Sequence, residues 1–147
     1  MDETVDRHVL LAAYFKNFEN TYSEDLSSFW AHEFMHELLD NDMEKAWVVT
    51  LDLVNFAPNK ESLAYVGADV LEEILKRSGT RFIDRIEHEA NSSKRFLYAL
   101  ANAWIRKDAE TYSVHQGIMR RFSILDECAA DSIAADIFSE GEVRETE

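Results

Sequence analysis

An all-α fold follows from three features of this sequence. Apolar residues recur at helical spacing along most of the chain. Only four Gly and one Pro interrupt its 147 residues, and β-branched residues do not gather in alternating runs. The stretch 64–104 shows the pattern most plainly, as three consecutive amphipathic helices. Their apolar stripes are Val70, Leu71, Ile74 and Leu75; Phe82, Ile83, Ile86 and Ala90; and Phe96, Leu97, Leu100, Ala101 and Trp104. Gly79 is placed to end the first in a left-handed conformation, and Thr80 and Ser93 are placed to cap the next two. The architecture expected is a single domain over residues 1–139, either an antiparallel helical bundle or a short HEAT-like stack of helical hairpins with seven to eight helices. Residues 140–147 form an acidic tail too poor in apolar side chains to pack, and are expected to be disordered.

Taken in order, residues 2–20 read as a first helix with Val5, Val9, Ala12 and Ala13 on one face, widened by Leu10 and Leu11, and with Phe15 and Phe18 near its end. A second runs from Phe29 to Leu39. Leu26, Trp30, Phe34 and Leu38 recur every four residues through it, with Met35 on the same arc. Asn41 or Asp42 caps a third helix, whose inner stripe is Ala46, Trp47, Thr50, Leu51 and Val54, and Ala57-Pro58 stops it. A fourth spans about 60 to 78, with Gly67 as a close-packing point or a slight break. Beyond the central stretch, residues 109–122 read as a helix weakened by Gly117, and a last helix covers Ile124 to Phe138.

The acidic balance narrows the function classes. There are 29 Asp and Glu against 15 Lys and Arg, a net charge of −14. The excess sits at the two ends: residues 1–80 carry −10 and 125–147 carry −7, while 81–124 carry +3. Such a field repels nucleic acid and anionic membrane and attracts a basic protein partner. The basic doublets Lys94-Arg95 and Arg120-Arg121 lack the breadth of a nucleic-acid footprint. No segment approaches a membrane span, the N-terminus lacks the basic-then-apolar order of a signal peptide, and Cys128 stands alone. These features point to the cytoplasm, with Cys128 an inert thiol among acidic neighbours.

One motif carries metal chemistry. His32-Glu33-Phe34-Met35-His36 matches H-E-x-x-H, in which histidines at i and i+4 chelate Zn²⁺ and the glutamate acts as general base. A third ligand is not pinned by spacing. Asp42 sits where a metzincin places its last ligand, but Leu39 replaces the glycine of that pattern, and Glu61, Glu72 and Glu73 qualify only by acidity. A helical wheel sets His32 and His36 opposite the apolar arc, near Asp25 and Asp40, as solvated surface histidines. The sequence therefore assigns no catalytic, cofactor-binding or metal-binding residue. The carboxylates Glu72 and Glu73, and Asp84, Glu87 and Glu89, read as helix-surface ion-pairing partners of Arg77, Arg81 and Arg85. Trp30, Trp47 and Trp104 read as core aromatics, any exposed one being an interface anchor.

Residues 29–104 resemble a bacterial all-helical domain family of unknown function. The likeness lies in A-W-V-V-T-L-D-L from Ala46, V-G-A-D-V-L-E-E-I-L-K-R-S-G from Val66, F-I-D-R-I-E-H-E-A from Phe82 and the helix leading to Trp104. The family's usual G-P before L-E is replaced here by Ala68-Asp69-Val70. The resemblance implies the helical fold and supplies no activity. The leading expectation is a non-enzymatic, acidic protein-binding module of the immunity or antitoxin type that neutralises a basic partner. The alternatives are a zinc-dependent hydrolase built on His32, Glu33 and His36, and a structural oligomeric scaffold.

Overall fold

The computed structural model describes residues 6–78 and 80–146, with side chains described as far as Phe138. Among these residues the chain is helix and connecting turn, with no strand. Helix α1 (Arg7–Glu19) starts at Asp6, whose carboxylate accepts hydrogen bonds from the backbone N–H groups of His8 and Val9. Its buried face is Leu10, Leu11, Tyr14 and Phe15, so the core takes the Leu10, Leu11 and Phe15 part of the expected face; Ala13 packs against its margin, and Val9 and Ala12 are exposed. Val5 lies outside the described residues. Five successive apolar residues, 9 to 13, leave the periodicity ambiguous, and the larger side chains win because they remove more area from water.

Helix α2 (Phe29–Asn41) buries Ala31, Met35, Leu38 and Leu39, a face turned by about one residue from the one expected. Leu26 precedes the helix and Trp30 is exposed. Asp42 then caps α3 (Met43–Phe56) through the N–H of Lys45, and α3 stops at Ala57, whose extended backbone leads into Pro58. Helix α4 (Lys60–Val66) opens with a reciprocal cap between Asn59 and Ser62. It continues without interruption through a π-helical turn (Gly67–Leu71) into α5 (Glu72–Ser78), giving the single long helix expected over 60–78. Taken as one body, it makes eight helices among the described residues.

Helix α6 (Ile83–Ser92) begins after a turn at residues 80–82, and Phe82 occupies its cap position without a side-chain cap. Thr80 is therefore not the cap that the sequence suggests, and Gly79 lies outside the described residues. The entry is fixed instead by Phe82, which is fully buried against Trp47 (ring centroids 5.4 Å apart) with the guanidinium groups of Arg81 and Arg85 over its ring. Ser93 does cap α7 (Lys94–Ala101), accepting from the N–H of Phe96 at 3.0 Å. Trp104 falls beyond the end of α7. Ala103 and Ile105 turn inward there while Trp104 points out, 65% exposed, so it is no part of the core stripe.

Helix α8 (Tyr112–Arg121) ends where Ser123 takes φ 58° and the N–H of Ile124 reaches back to the carbonyl of Met119. Helix α9 (Glu127–Thr146) starts later than expected, with Asp126 accepting from the N–H of Ala129. Ile124 is buried, and Leu125 and Cys128 are exposed. The side chains of the expected tail, 140–147, lie outside the described residues.

Helix α7 is the hub. Phe96, Leu97, Tyr98, Ala99 and Leu100 are all buried, and the helix packs on α3, α4, the π turn, α6 and α9. A solenoid joins each unit only to its neighbours, so these contacts match the bundle alternative. The tightest approach is at Gly67, where a Cβ would lie 1.9 Å from the carbonyl oxygen of Ala99. At the next residue of α7, the buried His115 holds Nε2 2.8 Å from the carbonyl oxygen of Leu100. Burial pushes the His115 pKa below its usual value, and the carbonyl bond opposes that only in part.

Two stability measurements follow from this packing. Gly67→Ala places a methyl group on backbone that cannot yield, and should cost about 3 kcal/mol or more. Gly117→Ala, where nothing lies within 4 Å of the added Cβ, should stabilise α8 by about 1 kcal/mol. Denaturant unfolding of the two variants checks both signs. The neutral His115 makes the folded protein bind fewer protons than the unfolded chain below about pH 6.5, so stability falls as pH drops through that value. His115→Gln should flatten this loss in urea melts at descending pH, and a curve parallel to that of the parent chain would contradict the assignment.

Candidate functional site

The π turn carries Asp69 out of the 60–78 helix to the junction with α1 and α2. Aspartate is a poor helix former, and here it sits in the otherwise apolar run Ala64 to Leu71. Its side chain is 13% exposed and both oxygens are engaged. Oδ2 accepts from the hydroxyl of Tyr14 on α1 at 2.7 Å, and Oδ1 lies 3.2 Å from His36 Nε2 on α2. His32, one turn earlier, stacks obliquely on His36 with ring centroids 4.3 Å apart. Ligand-type atoms of His32, His36 and Asp69 all lie within 4.8 Å of one another. Two imidazoles and a carboxylate so placed form a donor set suited to a first-row divalent cation.

The carboxylate also governs the neighbouring phenols. Burial, and then the charge of Asp69, push the Tyr14 pKa well above the usual tyrosine value. The same two causes push Tyr65 up to about 12. Tyr14 and Tyr65 pack ring to ring at 5.5 Å, and Phe18 stacks on Tyr65 at 4.6 Å. The phenols thus stay protonated at neutral pH, and Tyr14 donates to the carboxylate.

His32 and His36 are accordingly half-buried at the edge of the α2 core face, and the expectation of two solvated histidines near Asp25 and Asp40 is corrected. The wheel erred because it was centred on Trp30 and Phe34, whereas the buried arc is centred on Ala31, Met35 and Leu38. None of the third-ligand candidates joins the cluster. Asp42 caps α3 and Glu61 lines a cleft of about 650 Å³ near Pro58 and Arg95. Glu72 accepts from the backbone N–H of Trp104 and pairs with Lys76, and Glu73 pairs with Arg77. Asp69 was legible only as the one acid between Ala64 and Leu71, two residues after Gly67. Arg95, half of a basic doublet, is spent internally: its guanidinium donates to the carbonyls of Val54 and Ala57 at the end of α3.

A second feature adjoins the cluster. Residues 17–44 contain eight Asp and Glu and no Lys or Arg. Asp40 and Glu44 are drawn into ion pairs with Arg77, Arg81 and Arg85, and Asp42 is a cap. The carboxylates of Glu19, Glu24, Asp25, Glu33 and Glu37 form no ion pair among the described residues. Between them Tyr22 (102% exposed), Leu26 (70%), Phe29 (41%) and Trp30 (37%) present apolar surface to solvent. Of the three tryptophans only Trp47 is a core residue.

No helix among the described residues is long and apolar enough to cross a membrane. A model described as a family of unknown function, DUF6869, matches residues 18–120, a wider span than the resemblance over 29–104. No curated protein and no solved structure matches the chain.

Tyr14→Phe keeps the buried ring and removes only the hydroxyl that meets Asp69. It should lower stability by about 1.5 kcal/mol, as expected for a hydrogen bond to a charged group. The same change in an Asp69→Ala background should cost much less, and a double-mutant cycle in denaturant reads the difference.

Proposed function

We propose that this chain, which belongs to the family of unknown function DUF6869, is a non-enzymatic module that binds a basic protein partner. The observation that carries this reading is the exposed set Tyr22, Leu26, Phe29 and Trp30, embedded in a stretch with unpaired carboxylates and no Lys or Arg. Aromatic side chains framed by acids suit a surface of Lys and Arg. The rings offer stacking and cation–π contacts, and the carboxylates steer the approach and select the partner's sign. In its specific form the partner is a toxin whose basic site this face covers, making the protein an immunity or antitoxin type.

The test is retention of a basic protein from source-cell lysate on tagged protein at low salt, compared across variants. A genuine partner is released by rising salt, is held at least about tenfold more weakly by Trp30→Ala, and is lost with Glu33→Lys/Glu37→Lys. Glu110→Lys, outside this face, should leave retention unchanged. Equal retention by all variants, or none by the parent chain, would sink the reading. Stoichiometric suppression of the captured protein's own activity would establish the neutralising role.

A further inference from the structure

We propose that His32, His36 and Asp69 form a zinc-binding site that ties α2 to the π turn of the 60–78 helix. The proposal does not rest on the partner reading above. The two imidazoles sit at i and i+4 on α2, and the carboxylate comes from a second element, so the three donors converge from two directions. A tetrahedral zinc with bonds of about 2.0–2.1 Å holds its ligand atoms about 3.3 Å apart. His36 Nε2 and Asp69 Oδ1 already stand at 3.2 Å, and rotation of the His32 ring within the 4.8 Å limit of the cluster closes the set.

The surroundings are those of a ligand set with outer support. The Tyr14 hydroxyl holds Asp69 Oδ2 at 2.7 Å and leaves Oδ1 directed at the histidines, the role that outer hydrogen bonds play at metal centres. His32 and His36 are half-buried and Asp69 is 13% exposed, and three protein donors leave the fourth tetrahedral position to water. Two nitrogens and one carboxylate oxygen favour zinc over calcium and magnesium, which take oxygen ligands. Glu33, the general base of the H-E-x-x-H pattern, is exposed and outside the cluster, so the site is assigned to binding and cross-linking.

Calorimetric titration of metal-free protein with Zn²⁺, with Co²⁺ absorption as the spectroscopic readout of tetrahedral geometry, tests the site. One equivalent should bind and raise the melting temperature. Asp69→Asn should weaken binding at least tenfold, Tyr14→Phe by about ten- to a hundredfold, and Glu33→Ala should leave it unchanged. Metal-free melts confirm that each variant is folded. His36→Ala should weaken binding at least tenfold as well; should that variant not fold, the near-isosteric Asp69→Asn decides alone. No saturable binding overturns the proposal. So does affinity unchanged in Asp69→Asn, which would leave a two-histidine helix face, or equal weakening by Glu33→Ala, which would mean diffuse acidic binding.

Discussion

The contact between Gly67 and the Ala99 carbonyl sets the distance from which much of the structure is measured. With no side chain at 67, the 60–78 helix lies directly on the backbone of α7, and α7 can then be buried along five successive residues. The π turn begins at that same glycine. Its wider coil keeps Val70 and Leu71 in the core while Asp69 reaches Tyr14 and His36 on two other helices. One backbone approach therefore both closes the core and delivers a carboxylate to the junction of α1 and α2.

Much of the fold was legible in the residues. The Ser93 cap, the stop at Ala57-Pro58, the Ala46, Trp47, Thr50 and Val54 positions of the α3 stripe and the close-packing role of Gly67 all follow from local chemistry, and the structure reproduces them; the buried Val49 and Leu53 lie outside the expected stripe. Periodicity failed where apolar residues were too many or too evenly spread, as from Val9 to Ala13, or where the pattern ran past a helix end, as at Leu26 and Trp104. The candidate site was half legible. The i, i+4 histidines were visible at once, but their orientation and their carboxylate neighbour depend on a π turn 33 residues away, which no local pattern encodes. The acid-only stretch was present in the composition, yet its meaning depends on which acids the arginines of α5 and α6 take up.

That partition of charge gives the surface its character. Arg77, Arg81 and Arg85 neutralise Asp40 and Glu44, and Lys76 and Arg77 neutralise Glu72 and Glu73. Exposed pairs of this kind add little stability. Their larger effect is subtraction: they remove the carboxylates around the α2–α3 corner from the free field and leave the uncompensated ones beside the exposed aromatics. The matched family range, 18–120, takes in α2 to α8, while α1 lies almost wholly outside it and α9 begins after it. The buried Tyr14 is thus supplied by an element beyond the family range to a carboxylate within it.

The pairing of Tyr14 with Asp69 also bears on how sequences of this kind can diverge. Gly67 is closed to substitution by the backbone of Ala99, whereas the side chain at 69 plays no part in that contact. Replacing Asp69 alone strands a fully buried hydroxyl, and replacing Tyr14 alone strands half of a carboxylate. Drift at the two positions is therefore coupled. An apolar residue at 69 calls for Phe at 14, and an acid at 69 calls for a donor there, while the hub beneath the polar junction is untouched by either change.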